Sequence, residues 1–316
     1  MSRDDRVVPT VLGDLPADRL GTTLMHEHVV LGISGVELDH RYRRPDEQVI
    51  AEAVAALRRG AEHGLDTIVD ATTIEMGRNP ALLARVSELS GVAIVCSTGL
   101  YTDAHGIPPY FRGLTAEELA DWYLRDLEDG IDGSPIRAGV IKVATSGAEP
   151  TAVEAVPLEA AAIAAVRSGA PIITHTSGGG GDRQAAFLLE HGVDPRRIVI
   201  GHVDHKDTSP RYLQRILRSG VWTSMDRVGI PAFLPDEIRA GLMAGLIDLG
   251  HAPHLLMSMD SIAVHRGPRP ELLNGAGTPY VHLLRDFRAK LTAFGVAEAS
   301  IERMLVENPR DMLARP

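Results

Sequence analysis

The chain has few of the residues that characterise several common protein classes. Its 316 residues include one cysteine, Cys96, which lies in the apolar run VAIVCST and cannot form an internal disulfide. A buried thiol in a reducing compartment is therefore expected. Aromatic residues make up 4% of the chain, and acidic residues outnumber basic ones, so that the formal net charge is -10. Nucleic acids and anionic membranes bind basic surfaces, so neither is an expected partner.

Long apolar runs are also missing. No run approaches the ~20 residues that a membrane-spanning helix requires. The first residues, MSRDDRVVPTVLGD, lack the basic start and apolar stretch of a secretory signal. These absences predict a cytoplasmic protein, and the 44% hydrophobic content is enough for a large globular core.

Short apolar runs alternate with helical patterns along the whole chain. The eight strand candidates are TTLMHEH, TIVDAT, VAIVCST, AGVIKVA, PIITHT, RIVIGH, VWTSMD and HLLMSMD, and such continuous runs are typical of a parallel sheet covered on both faces. Helix signals between them include a capping box, Thr115 with Glu118, and a Ser209 cap before Pro210. Eight strand-helix units without a linker predict an α/β fold, a single (β/α)8 TIM barrel over residues 1–316. The alternative, a doubly wound open sheet, usually has a glycine-rich first turn, which MHEHVVLG is not.

Ionisable residues fall at or near the carboxyl ends of these strands, where a barrel of this kind carries its active site. They are His26, His28, Lys142, His175, His202, Asp226, Arg227 and Asp260. Because His26 and His28 are two residues apart, both should face the barrel axis, and Glu27 should face the helices. Each histidine alone could be a hydrogen-bonded core residue, but four imidazoles and a carboxylate at one rim favour a metal site.

Lys142 lies in the middle of an apolar strand, where an ammonium group is costly to bury. One interpretation is an ion pair with Asp260 or Glu27. The other is a neutral amine that CO2 has carboxylated, so that the side chain ends in a carbamate able to bridge two metal ions. Five further ligands are too many for one tetrahedral zinc ion and suit two ions roughly 4 Å apart.

These residues resemble the phosphotriesterase family of the amidohydrolase superfamily. The likeness extends from Val11 to Leu313 in the strings GTTLMHEHV, IKVATSG, PIITHT, IGH, MSMDS and VENPRDML. The resemblance implies an amidohydrolase-type barrel with a binuclear centre at its C-terminal mouth, containing zinc or alternatively cobalt, manganese or iron. It assigns His26, His28 and Asp260 to the buried ion, His175 and His202 to the exposed ion, and carboxylated Lys142 together with a hydroxide to the bridge.

The resemblance also implies a reaction, in which the bridging hydroxide attacks an ester and Asp260 transfers the proton to the leaving oxygen. Tyr101 after strand three and Arg227 after Asp226 are similar to residues of phosphotriesterase-like lactonases. The resemblance implies that Tyr101 orients the lactone ring and that Arg227 shapes the pocket wall. The expected substrates are lactones, with N-acyl homoserine lactones as a candidate class and organophosphate triesters as a slow side activity. The alternatives are a sugar lactone, aryl ester or organophosphate hydrolase, a mononuclear deaminase that has no need of Lys142, and a non-catalytic barrel.

Two features depart from the family pattern. The family carries an acidic residue three positions after the strand-six histidine, in a proton relay. This chain has His205 there, with Asp204 and Asp207 as alternative relay groups. The segment after Asp260, SIAVHRGPRPELLNGAGTPY, is polar and rich in glycine and proline, unlike the apolar loop that lactonases use against acyl chains. His105 is expected on a loop overhanging the site, and similarity to the family also implies a homodimer.

Overall fold

A computed structural model describes residues 6–268, 270–273 and 275–315, with the backbone alone described for Leu272. The strands are β1 (Val7–Thr10), β2 (Gly13–Pro16), β3 (Thr23–Gly32), β4 (Thr67–Asp70), β5 (Ala93–Gly99), β6 (Val140–Thr145), β7 (Ile172–Thr176), β8 (Ile198–Ile200), β9 (Trp222–Met225), β10 (Leu255–Met257) and β11 (Ile262–Arg266). Strands β3 to β11 form one parallel sheet in the order β10-β9-β8-β7-β6-β5-β4-β3-β11. The predicted (β/α)8 barrel is confirmed.

Helices cover the outside of this sheet. They are α1 (Asp46–Ala61), α2 (Pro80–Ser90), α3 (Pro109–Arg112), α4 (Ala116–Glu128), α5 (Ala152–Ser168), α6 (Gly181–Glu190), α7 (Pro210–Leu217), α8 (Asp236–Asp248), α9 (Arg288–Ala293), α10 (Glu298–Glu302) and α11 (Asn308–Leu313). The predicted start signals are present, because Thr115 and Glu118 form a reciprocal capping box before α4 and Ser209 accepts the backbone N–H of Tyr212 before α7. Within the described ranges, no helix has the length and apolar character needed to cross a membrane.

The eighth strand of the barrel is interrupted. β10 pairs with β9, whereas β11 pairs with β3, and the four residues from Ser258 to Ser261 lie between the two strands. Backbone hydrogen bonds still close the ring there, from Asp260 N to His26 O at 3.1 Å and from His28 N to Ser261 O at 2.8 Å. The break therefore faces the His26–His28 segment within β3, and it places Asp260 beside both histidines.

The opposite end of the barrel is closed by the β1–β2 hairpin and the last described residues. One residue from each of the eight barrel strands joins a buried cluster with Val8, Leu20 and Leu313; these eight are Met25, Val69, Val95, Val140, Ile173, Val199, Trp222 and Leu256. Val11 N donates to Ile94 O at the start of β5, and Val7 exchanges backbone hydrogen bonds with Arg315. The hairpin therefore covers the amino-terminal ends of the strands and leaves their carboxyl ends to form the mouth.

Candidate metal centre

The predicted ligands lie together at the mouth of the barrel. A pocket of about 290 Å³ is lined by five of them, His26, His28, His175, His202 and Asp260. Lys142 lies against this group, with Nζ 2.7 Å from His26 Nε2. The six residues that the sequence analysis proposed as ligands are thus brought to one place from five strands of the same sheet or from the segments that directly follow them.

Local backbone features direct these side chains. β3 has one residue more than β4 between Leu24 and Glu27, a bulge that interrupts regular alternation at His26. His202 and Asp260 both have a positive φ, of 55° and 51°. Left-handed backbone costs a non-glycine residue on the order of 1 kcal/mol, and such strain is concentrated at functional sites.

Gly99 at the end of β5 allows the neighbouring strand to approach. Its φ is +118°, and a Cβ atom there would lie 1.9 Å from the carbonyl oxygen of Lys142. A side chain at this position would therefore displace β6 and the lysine with it.

One buried carboxylate orients two of the imidazoles. Asp226 Oδ2 lies 2.9 Å from His26 Nδ1, and Asp226 Oδ1 lies 2.7 Å from His202 Nδ1. An ionised carboxylate only accepts hydrogen bonds, so both Nδ1 atoms carry the proton and both Nε2 atoms present a lone pair. The third ring, His28, pairs through Nδ1 with the hydroxyl of Thr72 at 2.8 Å. Metal-binding histidines are commonly fixed in this way through their second nitrogen.

The ionisation states match this arrangement. Burial lowers the pKa of His26 to about 3, and burial also lowers the pKa of His202 and His175. Burial acts to raise the pKa of Asp226, but the neighbouring His202 and His26 hold it well below its usual range. At neutral pH the imidazoles are neutral and Asp226 is ionised, which are the states required for metal ligation and its support.

The free nitrogens converge with Asp260. Its Oδ1 lies 3.2 Å from His28 Nε2 and 4.0 Å from His26 Nε2, and its Oδ2 lies 3.8 Å from His202 Nε2. Ligand atoms of His26, His28 and Asp260 all lie within 4.8 Å of one another. The rings of His175 and His202 meet edge to face with centroids 4.4 Å apart. Imidazole nitrogens with a carboxylate are a donor set that suits zinc and other divalent transition metals.

Lys142 is almost completely buried, with 1% of its surface exposed. Burial lowers the pKa of its amine to about 7. The amine can donate to the lone pair of His26 Nε2, so that this contact needs no carboxylate partner. A substantial fraction of the amine is therefore neutral at physiological pH, and the neutral amine is the form that reacts with CO2. Both the position and the ionisation of Lys142 fit a carbamate.

The other predicted site residues form the pocket wall. Tyr101 places its hydroxyl 2.9 Å from His175 Nδ1. The guanidinium carbon of Arg227 lies 3.8 Å from the ring centroid of Phe233, and Arg227 Nε lies 3.5 Å from Asp260 Oδ2. His105 packs its ring edge to face on Tyr101, with centroids 4.9 Å apart, and lines the same pocket.

The segment after Asp260 contributes more apolar surface to the pocket than its composition indicated. Its lining residues are Ile262, His265, Pro270 and Leu273. A second cavity of about 220 Å³ shares Asp260, Ile262, His265 and Leu273 with the first. The same four residues therefore line both cavities.

The alternative relay groups after β8 have other partners. Asp204 is completely buried, and its Oδ2 accepts from Arg239 Nε at 2.6 Å and from the backbone N of Arg227 at 3.1 Å. Asp207 is exposed, and its backbone N donates to Nδ1 of His205. Asp204 therefore holds the backbone that carries Arg227, and its carboxylate is engaged by the arginines rather than by Asp260.

Three supporting residues were missed by the sequence analysis. Asp226 was noted at a strand end but given no role, and Thr72 was not noted at all. Glu27 was expected to face the helices and was given no role, but its carboxylate is completely buried and contacts the Ser258–Ser261 segment of the neighbouring strand. The available signal for Asp226 and Glu27 was a carboxylate inside an apolar strand. The partners of these two carboxylates lie on other strands, so they could not be identified before the closed barrel was known.

Comparison with known proteins agrees with the fold. The model of the phosphotriesterase family matches residues 6–313. A phosphotriesterase homology protein from Mycobacterium tuberculosis is 37% identical over 97% of both chains. A solved variant of a PTE-like lactonase from Deinococcus radiodurans is 37% identical, with a TM-score of 0.91 over 97% of this chain and 99% of that one. An organophosphorus hydrolase structure from the same organism is 36% identical, with a TM-score of 0.91 over 97% of this chain and 96% of that one.

Proposed function

Because the chain belongs to the phosphotriesterase family of hydrolases, we propose that it is a binuclear metal-dependent lactonase with a weaker activity on organophosphate triesters. The observation that carries this proposal is the convergence of three oriented imidazoles, Asp260 and the buried amine of Lys142 at one pocket. A site for one ion would leave the burial of Lys142 without a purpose.

The residues divide between two ions. His26, His28 and Asp260 would hold the inner ion, and His175 and His202 the outer ion. Lys142 would supply the bridging carbamate, formed when its neutral amine adds to CO2 and releases one proton. When bound, the two ions would make water acidic enough to attack at neutral pH and would polarise the carbonyl of the substrate.

The chain's own residues then guide the proton and the substrate. Asp260 accepts the proton of the attacking water and delivers it to the leaving oxygen as the ring opens. The Tyr101 hydroxyl, beside His175, is placed to donate a hydrogen bond to the lactone. Arg227 is stacked on Phe233 and forms the wall next to Asp260.

Two observations favour a lactone as the substrate. The pocket combines Tyr101 and Arg227 with apolar walls from Leu31, Met76 and Leu273, which suits a small neutral ring carrying an apolar substituent. The lactonase from Deinococcus radiodurans is also among the similar solved structures. Organophosphate hydrolysis is the second candidate, since an organophosphorus hydrolase is equally similar.

A comparison of substrates with and without metal tests the proposal. We expect the zinc- or cobalt-loaded protein to hydrolyse lactones, including N-acyl homoserine lactones, with a higher kcat/KM than paraoxon-like triesters. Removal of the ions with a chelator should abolish both activities, and added metal should restore them. Metal analysis should find two ions per chain. Unchanged lactone hydrolysis in the chelated protein, or one ion per chain with deaminase activity, would contradict the proposal.

Tyr101→Phe separates substrate orientation from metal binding. This variant removes one hydroxyl while keeping the ring that packs on His105 and His175. We expect about a tenfold or greater loss in kcat/KM for lactones, with two ions still bound, because a hydrogen bond to the reacting group is lost. Equal kcat/KM in the variant and the unaltered protein would remove Tyr101 from the proposed mechanism.

A further inference from the structure

The residue between the two histidines, Glu27, has a buried carboxylate to which the proposed reaction gives no part. It is 0% exposed, and it lies opposite the interruption between β10 and β11. A buried carboxyl group is costly compared with an apolar side chain of similar size. Its contacts therefore require a specific explanation.

The carboxylate of Glu27 takes the place of a missing strand partner. Its Oε1 accepts from Ser258 Oγ at 2.6 Å and from Met259 N at 2.8 Å, and its Oε2 accepts from Ser261 N at 2.8 Å. These two backbone N–H groups lie in the interruption, outside β10 and β11. A buried N–H without an acceptor is destabilising, so Glu27 stabilises this segment by accepting from two N–H groups that lie outside β10 and β11.

Asp260 lies between the two backbone groups that Glu27 holds. Its φ of 51° is a strained conformation that the surrounding contacts have to maintain. Ser258 Oγ, which donates to Glu27, also accepts the backbone N–H of His26 at 2.9 Å. The same short network thus joins the histidine strand to the aspartate segment, and it fixes Asp260 Oδ1 at 3.2 Å from His28 Nε2.

We propose that Glu27 is a positioning residue, whose carboxylate holds the Ser258–Ser261 segment so that Asp260 meets His26 and His28 at the inner metal site. Its effect on metal binding and turnover rests on the proposed function, whereas its effect on the segment does not. Glu27 touches neither the pocket nor the substrate position. It acts on the reaction only through Asp260.

Two variants and one control test this proposal. Glu27→Gln keeps one oxygen for Ser258 and Met259 but presents its NH2 group to Ser261 N–H, and Glu27→Ala removes all three hydrogen bonds. The control is Asp126→Asn, because Asp126 is also a buried carboxylate, accepting from Arg78 Nη1 and Thr98 Oγ1 at 2.7 Å each. Hydrogen exchange of residues 255–266 and cobalt affinity with its visible absorption spectrum are measured in each protein.

We expect faster exchange of residues 255–266 in both Glu27 variants, and a 10- to 100-fold weaker affinity for one cobalt ion, as is usual when the support of a ligand is lost. The spectrum of the remaining sites should change, and kcat should fall while KM stays within about twofold. Asp126→Asn should lower stability without changing the exchange of this segment or the cobalt affinity.

The outcomes separate this proposal from the proposed function. Wild-type exchange and cobalt affinity in folded Glu27→Gln, with only Glu27→Ala destabilised, would show a general structural role and overturn the inference. Faster exchange in the variants of a chain that binds no cobalt would uphold the positioning of the segment while refuting the metal-dependent function.

Discussion

At the scale of single residues, the site depends on side chains that are not themselves ligands. Asp226 is the clearest example, since one carboxylate fixes the proton on Nδ1 of both His26 and His202. Two proposed ligands that belong to different strands therefore share one support. A change at Asp226 should affect both of the proposed metal positions.

Asp226→Asn tests this shared support. The asparagine amide has one accepting oxygen and one donating NH2 group, so it can preserve the tautomer of one imidazole only. We expect metal affinity to fall about 10- to 100-fold, as measured by competition with a chromophoric chelator. An affinity equal to that of the unaltered protein would show that the rings are oriented by other contacts.

Lys142 provides a prediction for the metal-free protein. Burial lowers the pKa of its amine from 10.5 to about 7 in the folded chain. Between these two pKa values the unfolded chain binds more protons than the folded chain, so the free energy of unfolding rises with pH. Below pH 7 the amine is charged in both states, and the folded chain bears the full cost of burying that charge. Each pKa unit is worth about 1.4 kcal/mol, which gives an upper bound of roughly 5 kcal/mol.

Lys142→Met should remove this penalty. We expect the metal-free variant to be more stable than the metal-free parent at pH 6, and the difference to shrink as the pH rises toward 10. Urea denaturation at several pH values measures it. The variant should also fail to bind two ions, which separates the site from the scaffold, and a pH-independent stability difference would contradict the assigned shift.

At the scale of elements, a chain of buried charges joins the loop after β9 to His282, which lies between α8 and α9. Arg239 of α8 is 0% exposed and contacts Asp204 and Asp236. Asp236 also accepts from Gly229 N at 3.1 Å and pairs with His282 Nε2 at 2.7 Å. Because Asp204 holds the backbone of Arg227, this network extends from the pocket wall to the surface.

His282 makes part of that network dependent on pH. The hydrogen bond to Asp236 raises the pKa of His282 above its ordinary value of 6.5. A raised folded-state pKa contributes stability that is full below pH 6.5 and lost as the pH rises through the folded value. We expect His282→Gln to cost about 1 kcal/mol at pH 5.5 and much less at pH 9 in thermal or urea unfolding. A cost that grows with pH would have the wrong sign.

At this scale, local sequence pattern predicts part of the fold and of the candidate site. Apolar runs and helix signals predicted the barrel strands, and positions along the strands predicted the six candidate ligands, because both depend on local pattern and barrel geometry. The run HLLMSMD continues without a visible break, so the interruption after Met257 could not be predicted. The partners of Glu27, Asp226 and Asp204 likewise depend on which strands meet across the closed ring.

At the scale of the whole molecule, the barrel has two differently constructed ends. The mouth carries the strained residues and the buried polar groups, whereas the opposite end is an apolar cluster covered by the β1–β2 hairpin. Arg315 fastens that cover, since its Nη2 donates to Gly139 O at 2.7 Å and to Ala138 O at 3.2 Å, just before β6.

Arg315→Ala should therefore weaken the molecule without altering its chemistry. Loss of the two hydrogen bonds leaves buried carbonyls unpaired, and we expect a cost of about 1–3 kcal/mol. Thermal unfolding should show a Tm lower by several degrees. The kcat of the folded variant should match that of the unaltered protein, and a change in kcat at equal metal content would indicate that the two ends are coupled.

The bridge between Val7 and Arg315 also bears on how the protein can be engineered. It brings two distant points of the sequence side by side on the face away from the pocket. A short peptide could join these points, and new ends could be opened in an exposed surface loop, giving a circular permutant with its substrate entrance unobstructed. For the same reason, attachment to a solid support through this face would leave the entrance directed toward the solution.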